Sequence, residues 1–530
     1  MTRVLQVRVA LGRPFDGLKN PSPIYCTQRL LVKFHKELAV SNASTPALQS
    51  PAPASSGVSP TRLRNWLIPL AIGLGLLAIP TPAGLAPSAW RFFALFATVI
   101  VALITEPLPG AAVGFIGVTI AAVFLLVAKT PAESVRWALS GFANEAVWLI
   151  FAANMFALGY DATGLGRRIA LLLVRVLGRR TLGLGYAVAC ADLLLAPFMP
   201  SNTARSAGTV YPIVKNIPPL FGSNPESNPR KIGAYLMWTG FATTCVTSSM
   251  FLTALAPNLL AVELARKLAH VDITWTIWLK GFLPAGILLF AGTPLLTYWL
   301  YPPEVKRGDE VVLWAGEELR HMGTITGREL TMGLLAAGAL VAWIGGSRWL
   351  APAAVALVVI SLMLITGVVK WADILAHRQG WNVLVWFATM VALAEGLSAV
   401  GFLGWLMHNA GSAAAKLPPT AVVAGAVAVF FVIHYLFASL TAQTTALMPV
   451  FLLAVISVPG VPARAAALLL GYSLGLMGVL NPYATGPAPI WYGSGYISTK
   501  DFWRLGAIMG AIYLGLLLVV GVPYVTRFLP

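Results

Sequence analysis

Apolar runs fill most of this chain, near 66–80, 89–105, 110–128, 183–199, 232–255, 279–300, 331–345, 351–369, 419–437, 463–480 and 505–526. A membrane-spanning helix needs about 20 apolar residues, so the pattern predicts an all-α polytopic membrane protein with about 11 transmembrane helices. Two further runs, 143–160 and 382–405, are shorter or interrupted by polar residues and are expected to be re-entrant hairpins.

The polar interruptions repeat. Pro200-Ser201-Asn202-Thr203-Ala204 in the first half is answered by Ala438-Ser439-Leu440-Thr441-Ala442 in the second, 238 positions on. Phe151-Ala152-Ala153-Asn154-Met155 is echoed by Trp386-Phe387-Ala388-Thr389-Met390 at an offset of 235, so one register with a small insertion relates the halves. Secondary transporters are built from such repeats, with the substrate held near the membrane midplane where the repeats meet.

Composition narrows the class. Hydrophobic residues make up 58% and charged residues only 10%, against roughly 25% charged in an ordinary soluble protein. The net charge of +17 is scattered among loops, with no basic stripe interleaved with aromatics, so nucleic acid is not an expected partner. Orientation explains the charge better: Arg3, Arg8, Arg13, Lys19, Arg29, Lys33, Lys36, Arg62 and Arg64 precede the first span and place the N-terminus in the cytoplasm. Cys26, Cys190 and Cys245 form neither an even framework nor a C-x-x-C pair, so no disulfide, zinc site or other cofactor is expected.

Four segments follow. Residues 1–60 lack helical periodicity, end in Ser- and Pro-rich sequence and are expected to be disordered, with an organelle transit peptide as the alternative. Scaffold helices and the first repeat occupy 61–301, a hydrophilic linker 302–330, and the second repeat 331–530.

Hydroxyls and amides at membrane depth are costly unless they bind something. Pro200 breaks its helix and frees backbone groups beside Ser201, Asn202 and Thr203, and half-helix N-termini offer N–H groups and a positive dipole end to an anion. Ser439 and Thr441 supply the second hydroxyl pair. Each half holds another broken place, at Thr247-Ser248-Ser249 with Asn258, and at Asn481-Pro482-Tyr483-Ala484-Thr485-Gly486-Pro487. Packing of Ser and Thr between membrane helices is the competing explanation for either string alone.

The stretches Asp192-Leu193-Leu194-Leu195-Ala196-Pro197 with Pro200-Ser201-Asn202-Thr203-Ala204-Arg205, then His434 to Ala442, then Asn481 to Pro489, resemble the divalent anion:sodium symporter family, in its citrate/succinate and 2-oxoglutarate/malate exchanger branch. The likeness covers roughly residues 62–530. It implies two inverted repeats, each with a re-entrant hairpin and a broken helix, an elevator-type movement, a homodimer, and carboxylates held by Ser201, Asn202, Thr203, Ser439 and Thr441. Where sodium-coupled relatives carry Asn, this chain has Leu440, whose alkyl group cannot coordinate Na⁺.

Charges near these strings complete the candidate set. Arg205 needs an anionic partner at such depth, either Asp192 or the substrate carboxylate. His434 is a second candidate cation or pH sensor, and Glu395 a candidate proton-coupling carboxylate. The resulting expectation is a secondary transporter of di- or tricarboxylates (citrate, succinate, malate, tartrate or 2-oxoglutarate) working as an anion:anion antiporter in a bacterial inner membrane. A sodium-coupled symporter, a plastid-envelope location and an intramembrane hydrolase using Ser201 or Ser439 are the alternatives, the last lacking a nearby base at the first string.

Overall fold

The computed structural model describes residues 60–345, 349–402, 404–405 and 417–529. The disorder expected of 1–60 thus lies, but for its last residue, outside the described residues. Described secondary structure is helical, the only β pairing being an isolated bridge between Arg180 and Arg307. Eight described helices are long and apolar enough to cross a membrane, and five shorter apolar helices accompany them.

Local sequence sets many of the helix ends. Proline opens Pro87–Thr105, Pro131–Ser140, Pro352–Ile365 and Pro419–Val432, where its missing N–H costs nothing. The Asn144 side chain caps Glu145–Thr163 by accepting from the Ala146 N–H, and Gly164, at φ 76°, ends it.

The stretches 143–160 and 382–405 depart from expectation. They lie largely in the continuous helices Glu145–Thr163 and Arg378–Ala399, of 19 and 22 residues, neither with an internal proline. The polar groups that interrupt their pattern are absorbed: Asn154 Nδ2 donates to Ile150 O at 2.8 Å, and Glu395 pairs with Lys267 at 2.9 Å. The chain doubles back at the polar strings instead. Thr181–Leu195 packs against the helical segment after the first string, a π-helix Thr203–Val210 running into Tyr211–Val214, and Pro419–Val432 packs against Leu440–Ile456 after the second.

Each hairpin is followed by an interrupted helix. In the first half Gly233–Met250 stops at Phe251, in extended conformation, passes a 3-10 turn at Leu252–Ala254 and resumes as Ala256–Ala269. In the second, Ala463–Leu476 runs into a turn at Met477–Val479 and resumes only at Ala488–Tyr492. The hydrophilic 302–330 region contains a helix, Asp309–His321, packed on Leu165–Leu177 and tied there by Arg167–Glu318 at 2.6 Å.

The two interrupted helices cross at the centre, and every residue of Gly233–Met250 is buried. Small residues let the backbones approach. A Cβ on Gly475 would lie 2.7 Å from Ser249 N and 2.8 Å from Cys245 O, beside the bond from Ser249 Oγ to Tyr472 O at 2.7 Å. Gly475→Ala must push the two helices apart, which for overpacking costs about 1–3 kcal/mol. It is expected to lower the thermal stability of the detergent-solubilised protein, while Gly338→Ala, where an added Cβ meets nothing within 4 Å, leaves it unchanged. Equal melting temperatures for the two variants would refute the tight crossing.

Candidate functional site

The two hairpin tips and the two helix breaks meet around one cavity of about 260 Å³. Pro200 to Thr203 and Ala438 to Thr441 supply the tips, Leu255 to Pro257 the first break, and Thr485 with Gly486 the second. Asn154, Gln379 and Val383 complete the wall from the two continuous helices. None of the described lining residues is charged.

The tips are built alike. Ser201 Oγ accepts from Ala204 N at 3.2 Å and Ser439 Oγ from Ala442 N at 3.3 Å, the same offset that relates the strings in sequence. The next turn closes through Arg205 N to Ser201 O at 2.9 Å and Gln443 N to Ser439 O at 3.1 Å. First-turn N–H groups have no acceptor within their own helix, and Asn202, Thr203, Leu440 and Thr441, which line the cavity, stand in those first turns. Each tip thus presents a pair of amides and the positive end of a helix dipole, the arrangement that binds carboxylate or phosphate.

The halves are joined at the same place. Asn202 Nδ2 donates to Thr485 Oγ1 at 2.8 Å, and Trp491 Nε1 to Ser206 Oγ at 2.9 Å. Gly486 packs closely here: a Cβ would stand 2.0 Å from Thr203 Oγ1, so any larger residue would displace the Thr203 side chain. A larger cavity of about 830 Å³, bounded by Glu106 to Ala111, shares Ala256, Gln379, Val383, Ser439 and Thr441 with the first and forms its approach.

The charged candidates lie behind the wall. Arg205, fully buried, donates from Nε to Asp192 at 3.1 Å, from Nη1 to Met199 O at 2.9 Å and Ala254 O at 2.8 Å, and from Nη2 to Ser248 Oγ at 3.0 Å and Thr247 Oγ1 at 3.5 Å. A guanidinium has five N–H donors, so none remains for a ligand. Asp192 also accepts from Thr244 and Thr247. Of the two partners the sequence offered Arg205, the geometry supplies Asp192.

His434, likewise buried, meets Gln443 Oε1 at 2.6 Å through Nδ1 and Ala484 O at 2.8 Å through Nε2. Gln443 Nε2 in turn donates to Phe430 O at 2.6 Å, which sets the sense of its amide and ties His434 to the second tip. Asn258 donates to Ser248 O and Phe251 O, and Asn481 accepts from Tyr483 N; both stand behind the wall rather than on it. The sequence reading had not placed Gln379 or Asn154 at the site. For Asn154 a signal existed, a polar residue in the repeated stretch opposite Thr389.

An all-helical membrane protein with paired hairpin tips and broken helices around an uncharged cavity is a secondary transporter by architecture. Residues 60–528 match the family described as Sodium:sulfate symporter transmembrane region. The chain belongs to this family, that of the divalent anion:sodium symporters, which are transporters and not enzymes. It is 47% identical over 470 residues, 86% of this chain and 96% of the relative, to the L-tartrate/succinate antiporter of Shigella sonnei. To the antiporter of the same name from Shigella flexneri it is 46% identical over the same spans. Among solved structures, the YdaH transporter of Alcanivorax borkumensis shares the fold, with a TM-score of 0.53 at 16% identity over 83% of this chain and 99% of that one.

Two outcomes follow from the geometry. Breaking a buried ion pair by removing one partner costs about 3–5 kcal/mol, so Arg205→Gln is expected to reduce the folded transporter in the membrane while the residual exchange keeps its KM. A raised KM at normal abundance would instead put the guanidinium on the substrate. Asn202→Ala, at a lining position, should cut exchange at least about tenfold, the 1.4 kcal/mol of one or two charge-assisted bonds, without loss of abundance; wild-type exchange would remove Asn202 from the site.

Proposed function

We propose that this chain exchanges one dicarboxylate anion for another, with four-carbon acids such as tartrate and succinate as substrates. The observation that carries this reading is the pair of serine-capped helix N-termini facing one uncharged cavity, one cradle for each carboxylate. At about 260 Å³ the cavity is smaller than the roughly 300–1,000 Å³ of sites for drug-sized ligands, which suits a small acid. The names of the antiporters it resembles agree.

Antiport is favoured over Na⁺ symport by what occupies the freed carbonyls. Arg205 takes Met199 O and Ala254 O, His434 takes Ala484 O, and the side chain of Leu440, on the wall, has no oxygen. Fixed internal donors thus stand where mobile cations would otherwise be needed. An empty cavity leaves four polarised amides without partners, so the unloaded carrier crosses poorly and exchange becomes obligatory. A hydrolase reading finds no general base, because the lining contains neither His nor Lys.

The remaining features complete the proposal: a homodimer surrounded by lipid in a bacterial inner membrane, the N-terminus cytoplasmic, with the two tips and breaks travelling together as an elevator. Ser201, Asn202, Thr203, Ser439, Thr441, Thr485 and Gly486 contact the substrate; Arg205, Asp192, His434, Asn258 and Asn481 hold the backbone that does so. Purified protein in liposomes should take up labelled succinate only when the lumen holds a dicarboxylate, and at the same rate when choline replaces Na⁺ at constant ionic strength. Uptake into empty vesicles with a steep, sigmoidal Na⁺ dependence would establish symport instead.

A further inference from the structure

One polar atom on the cavity wall cannot serve a carboxylate. Asn154, on the helix Glu145–Thr163, is 4% exposed and lines the cavity. Its Nδ2 is committed to the backbone oxygen of Ile150 at 2.8 Å. A carbonyl only accepts, so the amide cannot be reversed while that bond stands: Oδ1 stays an acceptor, beside the second N–H of Nδ2. Asn154 is a lining residue of the cavity, and no described protein group donates to its Oδ1. A carboxylate set against it would oppose two acceptors, whereas a hydroxyl would donate to it.

The other amides on the wall do not discriminate in this way. Asn202 binds the Thr485 hydroxyl, which can donate as well as accept, so its amide can turn either face to the cavity. Gln379, on the approach as well as the site, offers both a donor and an acceptor. The repeat counterpart of Asn154 is Thr389, whose hydroxyl is spent on Val385 O and Trp386 O and which does not line the cavity. The second half therefore contributes no matching acceptor.

We propose that Asn154 is a specificity-determining residue, its fixed acceptor reading a hydroxyl on the carbon beside one carboxylate of a hydroxylated dicarboxylate. This rests on the dicarboxylate-exchange reading above. A site that offers an acceptor to a substrate hydroxyl disfavours an analogue lacking the O–H proton, because the acceptor is then left unpaired. Fluorine supplies the discriminating probe, being close to hydroxyl in size but unable to donate.

The test is exchange of labelled external succinate into liposomes loaded with succinate, competed by 2-hydroxysuccinate and by 2-fluorosuccinate. For the wild type the hydroxy acid should compete about tenfold better than the fluoro acid, the effect of one hydrogen bond with its acceptor otherwise unpaired. In Asn154→Leu, and in Asn154→Thr, which copies the residue of the second half, the ratio should fall to near one, whatever the change in the succinate exchange against which both competitors are read. A wild-type ratio near one, a ratio unchanged in both variants, or equal weakening by all competitors with the ratio preserved would each overturn the proposal. Failure of the wild type to exchange succinate at all would instead strike the underlying reading, so the two failures are distinct.

Discussion

Peptide groups released at four helix breaks inside an apolar protein are the constraint on which the rest of the structure depends. Each group left unsatisfied in hydrocarbon costs several kcal/mol, so every break must find partners. The carbonyls find them within the protein: Arg205 serves Met199 and Ala254, His434 serves Ala484, Thr253 serves Pro197, Trp278 and Asn258 serve Ser249 and Ser248. With those carbonyls covered and no charged side chain among the described lining residues, the two tips bring the positive ends of two helix dipoles to the cavity, and on the proposed function that favours an anion.

The same constraint explains which polar residues stand on the wall and which behind it. Arg205 is more valuable as a clamp than as a ligand, since one planar cation ties the first tip to the first break and returns its charge to Asp192. A lysine at this place would carry the charge but not the fork. Asn202 and Thr485 do the corresponding work across the repeats, and Gly486 lets the two backbones come close enough for it.

Much of this was legible in the chain. The apolar runs correspond to helices, and the proline, asparagine and threonine clusters correspond to the tips and breaks, because breaking a buried helix requires residues that either forbid its hydrogen bonds or replace them. What misled was the apparent weakness of 143–160 and 382–405. A polar residue lowers local hydropathy whether it faces lipid or bonds to its own helix, and the i−4 bond of Asn154 to Ile150 and the tertiary pair of Glu395 with Lys267 cannot be seen in one dimension. The role of Arg205 was undecidable for a similar reason. Thirteen positions from Asp192 says nothing of whether the two side chains meet, and the carbonyls it also binds come from segments up to 49 positions away.

A pocket made from dipoles rather than charges has a consequence for selectivity. Backbone amides at helix ends recognise a carboxylate wherever it arrives and say little about the carbon between two of them, so such a site tolerates a set of related acids, as an exchanger that must bind both of its substrates requires. Discrimination then falls to the few side-chain atoms whose hydrogen-bonding sense is fixed by the protein. On this wall most hydroxyls and amides can turn to suit the ligand; the amide of Asn154 keeps its sense as long as its Nδ2 stays bonded to Ile150 O. If Asn154 reads a substrate hydroxyl as proposed, tolerance comes from the two tips and preference from the helix facing them, and the residues that set whether an acid is carried are then separate from the residue that sets which acid is carried best.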